Sequence, residues 1–125
     1  MPEAPLRLTP RWAEHGVLVI DADGDFDAAS APLLCEPILR MAMTGHRWFV
    51  VDFARIGRFH SSGVQALTVV RERVHGRGGM LALSGGPDIR SVLGALGVDH
   101  VGVFYDTVAE AERACRADPD AAGRR

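Results

Sequence analysis

Apolar positions along this chain fall into short blocks separated by glycine, proline or charged residues, and the blocks alternate between strand and helix periods. VLVIDA (Val17 to Ala22) is a β-branched run of strand length that ends in the Gly24 region. Ser30 and Pro32 open a helical pattern in which Leu34, Ile38, Met41 and Ala42 share one face, and Gly45 ends it. Pro37 sits inside that pattern; lacking an N–H, it predicts a kink or a delayed start of regular helix. WFVVDF (Trp48 to Phe53) is too apolar for a half-exposed strand and predicts a central one, covered on both faces. ARIGRFH then connects to a helix over Gly63 to His75, with Val64, Leu67, Val70 and Val74 at helical spacing and Arg71, Glu72 and Arg73 elsewhere on its surface. GRGG (Gly76 to Gly79) is its exit.

The second half repeats the alternation. MLALS (Met80 to Ser84) predicts a short buried strand, and Gly86, Pro87 and Asp88 a helix start, with proline in the first turn and a carboxylate at the positive end. Ile89, Val92, Leu93 and Leu96 form an i, i+3, i+4, i+7 stripe that Gly97 terminates. VFY (Val103 to Tyr105) predicts a last short strand. Thr107 and Glu110 then form a capping box for a helix that buries Val108, Ala111 and Cys115. LRLTP near the N-terminus adds an edge strand. After Arg116 nothing remains to bury, so one domain over 1–117 with a disordered tail at 118–125 is expected.

Composition narrows the function classes. At 125 residues the chain can bury a core without disulfides or a structural metal. A net charge of −2 gives no electrostatic reason to expect nucleic acid or an anionic membrane as partner. All 14 basic residues are arginine, which together with the alanine and glycine load reflects coding bias and not a binding surface. Cys35 and Cys115 are far apart, and MPEAPLRLTP has no basic segment followed by a long apolar run, so a cytoplasmic protein with no membrane insertion is expected.

Chemistry concentrates at RFHSSGVQAL (Arg58 to Leu67). Ser62 and Gln65 match S-x-x-Q, which assigns Ser62 to capping the following helix, leaving the Ser61 hydroxyl exposed at the helix's positive end. An anion there is tolerated, so Ser61 is either a phosphate acceptor or a plain polar loop residue. His60 beside Ser61 invites a nucleophile-and-base reading, but adjacent residues at a helix start point apart and no G-x-S-x-G elbow is present. Histidines at 15, 46, 60, 75 and 100 lack metal-ligand spacing; GRGG and SGGP lack the Walker lysine; Asp25 and Asp27 in a turn read as caps. No metal and no cofactor are expected.

GDFDAASAPLL, VVDFARIGRFHSSGVQAL and GGMLALSGGPDIRSVLGALGVDHVGVFYDTVAEAERA together resemble the STAS domain, named for sulphate transporters and anti-sigma-factor antagonists, from Leu6 to Cys115. The resemblance implies a single α/β domain, a small mixed sheet packed with about four α-helices. It implies a non-enzymatic anti-sigma-factor antagonist that captures a serine-kinase anti-sigma factor and frees the sigma factor, with phosphorylation of Ser61 ending the capture. Asp27 is then the acidic residue of the strand-to-helix turn, and Asp27, His60, Ser61, Ser62 and Gly63 form the partner-binding set. A STAS accessory subunit of a transporter or a signalling-complex scaffold is the alternative, and a serine hydrolase a weaker one. His60 stands where the family usually has aspartate and Arg58 where an apolar residue is common, which makes the site more basic. The chain is accordingly a permanently unmodified antagonist or one matched to a divergent kinase. The oligomeric state stays open.

Overall fold

The computed structural model describes residues 5–85, 87–95 and 103–116. Among them run β1 (Arg7–Trp12), a 3-10 turn (Glu14–Gly16), β2 (Val17–Phe26), α1 (Ala31–Met43), β3 (Trp48–Phe59), α2 (Ser61–Gly76), β4 (Met80–Ser84), α3 (Pro87–Ala95), β5 (Val103–Tyr105) and α4 (Val108–Arg116). The sheet order is β1-β2-β3-β4-β5, with β1 antiparallel to β2 and the rest parallel, so this is the expected mixed-sheet α/β domain. The edge strand at LRLTP and the short strands at MLALS and VFY form as the pattern predicts. Gly97 and the tail at 118–125 lie outside the described residues.

β3 is the central strand, and its composition follows from having both faces covered. Phe49, Val51 and Phe53 pack with Leu34 and Ile38 of α1 and Val64, Leu67 and Val70 of α2 in the larger core. Val50, pointing the other way, joins Val17, Val19, Ala82 and the α4 residues Ala111 and Cys115. The Thr107 hydroxyl accepts from the Glu110 N–H at 3.1 Å, which caps α4 as the spacing predicts. Pro37 is accommodated inside α1, which runs unbroken from Ala31 to Met43 although proline has no N–H to donate to the carbonyl four residues back.

Both long strands outrun their sequence limits. β2 continues from Ala22 to Phe26 and β3 from Phe53 to Phe59, pairing in parallel as far as Phe26 opposite Phe59. Two register shifts, between Asp21 and Asp23 and between Gly24 and Asp25, carry the pair onward, and Gly24 supplies a φ of 112°. The apparent loop ARIGRF is therefore strand. It projects past β4, which stops at Ser84 opposite Asp52, and delivers the chain to the start of α2.

Candidate functional site

The β2–β3 extension brings the β2–α1 turn and the first turn of α2 together. His60 is the residue before α2, and its N–H donates to the Phe26 carbonyl at 2.9 Å, prolonging the strand pairing by one bond. Gly63 then lies against Phe26: a Cβ there would stand 2.8 Å from the Phe26 ring and 3.0 Å from the Asp27 carbonyl carbon. Phe26, Phe53 and Phe59 form the floor, with ring centroids 5.2 to 5.6 Å apart.

The structure corrects the assignment of Ser62. Helix α2 begins at Ser61, no side chain caps it, and Ser62 sits inside the first turn. Its Oγ accepts instead from the Ala28 N–H at 3.2 Å, across 34 positions of sequence. The local S-x-x-Q pattern loses because strand pairing carries the backbone through His60, which places the helix start earlier than a Ser62 cap requires. Ser61 is exposed at the first helical position, and no hydrogen bond engages its hydroxyl among the described residues. Among the described residues none joins it to His60 either.

Asp27 is held by its own turn. Its Oδ1 accepts from the Ser30 N–H at 2.9 Å, while the Ser30 Oγ accepts from the Asp27 N–H at 2.9 Å and reaches the Asp25 carbonyl at 2.9 Å. The Ala31 N–H reaches the Asp27 carbonyl at 2.8 Å, so Asp27 caps the turn leading into α1. The Ser30 N–H holds the Asp27 carboxyl below its ordinary range against some desolvation, with the Ser30 hydroxyl, the Ala29 N–H and the charge of His60 pulling the same way. Ser30 is the site residue that the sequence reading placed in the helix start and did not connect to Asp27. The D-x-x-S spacing of Asp27 and Ser30 was the available signal.

Around this junction the surface is accessible. An open depression of about 300 Å³ is lined by Pro5, Leu6, Asp25, Asp27, Ala29, Ser30 and Leu33. Gln65, Val69 and Arg73 follow Ser62 along the exposed side of α2. The site thus joins Asp27, His60, Ser61, Ser62 and Gly63, although Asp27 makes no hydrogen bond to Ser61. Among the described residues no group of three or more His, Cys, Asp or Glu side chains is arranged to hold a metal, and no helix is long and apolar enough to cross a membrane.

These features define a class: a small α/β domain whose central strand delivers an exposed serine to a helix start. A family model described as "Mlab, STAS domain" matches residues 11–113, and the chain belongs to the STAS domain family. No curated protein matches it. Among solved structures, an anti-sigma factor antagonist from Mycobacterium paratuberculosis is similar at 22% identity and a TM-score of 0.76, over 92% of this chain and 99% of that one. The Bacillus cell fate determinant SpoIIAA in its phosphorylated form is similar at 19% identity and 0.65, over 86% and 97%. A sulfate transporter family protein from Wolinella succinogenes is similar at 24% identity and 0.69, over 85% and 89%. At these identities the likeness establishes the fold.

Proposed function

We propose that this chain is a cytoplasmic anti-sigma-factor antagonist, a binding protein and not an enzyme, that captures a serine-kinase anti-sigma factor and so releases the sigma factor. The observation that carries the reading is the division of labour at the helix start: Ser62 and Gly63 are committed to the β2–α1 turn, while the Ser61 hydroxyl faces solvent with no protein partner among the described residues. Ser61 is the phosphate acceptor, and Asp27, His60 and the exposed side of α2 complete the contact surface, with Ser62 and Gly63 belonging to the partner-binding set through the turn they hold in place. Phosphorylation adds roughly −1.5 to −2 charges. Burying them against a partner without matched cations costs more than the helix N-terminus returns, so the modified form lets the kinase go.

The test uses the serine-kinase anti-sigma factors of the source organism, purified, in calorimetric titrations with the wild type and with Ser61→Asp, and in phosphorylation assays with radiolabelled ATP. Wild type binding one of them, with at least about tenfold weaker binding by Ser61→Asp, is the expected result. Equal affinities place the interface elsewhere. A second reading, an accessory subunit of a transporter, draws on the neighbour described as a sulfate transporter family protein. Affinity capture that recovers transporter subunits and no kinase favours it.

A further inference from the structure

We propose that Ser62 is the positioning residue of this site: its hydroxyl ties the turn that carries Asp27 to the helix start that carries Ser61, so that both reach a partner as one preformed surface. The inference rests on the functional reading above for its binding consequence, but its structural half stands alone. Strand pairing between β2 and β3 ends at Phe26 and Phe59. Beyond it the ties alternate: the His60 N–H meets the Phe26 carbonyl at 2.9 Å, and two residues on, the Ala28 N–H meets Ser62 Oγ at 3.2 Å. A side-chain oxygen thus takes the place that a backbone carbonyl would occupy in a continuing ladder.

Among the described residues the turn's other hydrogen bonds are internal or run to β2 and α1: Asp27 with Ser30, Ser30 with Asp25, Ala31 with Asp27 and Leu33 with Ser30. Ala28 and Ala29 are exposed and contribute no buried side chain. Among the described residues Ser62 Oγ is therefore the one side-chain hydrogen bond from α2 to this turn. Gly63 supports it sterically, since only a residue without Cβ lets the helix start lie this close to Phe26 and Asp27. Removing the hydroxyl leaves the core untouched but releases the Ala28 amide, and a turn that must be ordered on binding associates more slowly.

The experiment compares the full chain with Ser62→Ala and Ser62→Thr, reading amide hydrogen exchange by NMR and association rate with the kinase that binds the wild type. In Ser62→Ala the Ala28 amide should exchange at least about fivefold faster while core amides of β3 and α2 keep their protection. The association rate should fall by about the same factor, and Ser62→Thr, which keeps the hydroxyl, should restore both values. An unchanged Ala28 amide in Ser62→Ala overturns the proposal, as does a binding loss that threonine fails to rescue, since that marks a direct contact. If the wild type binds none of the organism's serine-kinase anti-sigma factors, the functional reading fails and the Ala28 amide alone decides the positioning role.

Discussion

Gly63→Ala is the substitution on which the geometry speaks most directly. The added carbon would stand 2.8 and 2.9 Å from two atoms of the Phe26 ring and 3.0 Å from the Asp27 carbonyl carbon. Carbon pairs prefer about 3.5–4.0 Å, so the helix start must move away by roughly 0.5–1 Å. The ring has little room to yield, being fully buried between Phe53 and Phe59, and the Asp27 backbone is pinned by its bonds to Ser30 and Ala31. Overpacking of this kind costs about 1–3 kcal/mol, against which alanine returns up to about 1 kcal/mol of helix propensity, less in a first turn. The net expectation is a loss of about 1–2 kcal/mol, or roughly 3–10 °C in melting temperature for a domain of this size. Urea unfolding followed by circular dichroism measures it. Pairing the change with Phe26→Leu should recover at least about 0.5 kcal/mol relative to the sum of the single effects, because the smaller side chain removes the collision. A Gly63→Ala protein as stable as the wild type would refute the packing argument.

Three further outcomes are expected. Because hydrogen bonds lower the Asp27 carboxyl pKa in the folded state, its stabilising contribution is present above the unfolded value of 3.8 and is lost as pH falls through the folded one. Urea midpoints between pH 7 and pH 2.5 should therefore fall less steeply in Asp27→Asn than in the wild type, and parallel curves would contradict the assignment. Burial raises the Cys35 thiol to about 11, with Glu36 adding to the effect, so Cys35 should resist a thiol reagent at pH 7.5 until the chain is unfolded; labelling in the native state would show the helix packing to be wrong. His60→Asp restores the acidic residue common in the family beside Ser61 and should increase phosphorylation by a kinase of the typical kind, measured with radiolabelled ATP; more efficient modification of the wild type by its own partner would mean that His60 is tuned to a divergent kinase.

What the chain's pattern revealed and what it concealed divide along a physical line. Trp48 to Phe53, apolar except for Asp52, marked the central strand because burial on both faces leaves little room for polar positions, and Leu34, Ile38 and Ala42 marked the inner face of α1 by their helical spacing. Thr107 and Glu110 were readable because a cap is local. The extension of β2 and β3 was not, since the register shifts replace period-two alternation with the wider spacing of Phe53, Ile56 and Phe59. Ser62 misled for a related reason. Its hydroxyl fits a local cap in sequence, but a bond to Ala28 becomes possible only when two distant turns meet, and no local pattern carries that information.

The register also changes how the two basic departures near Ser61 should be weighed. In sequence, Arg58 and His60 look like paired signs that demand for phosphorylation has relaxed. In the sheet they differ in kind. Arg58 lies opposite Asp25 and Arg55 opposite Asp23, so arginines of β3 and aspartates of β2 alternate along the extension, with Asp25 buried. Opposite charges in cross-strand register favour pairing, so the basic character of Arg58 fits its place in the strand. His60 has no such partner strand. It is exposed, directly precedes the helix and acts on Asp27 by its charge. Under the proposed function, His60 is therefore the position whose exchange for aspartate tests whether the switch is relaxed, and Arg58 is the weaker sign.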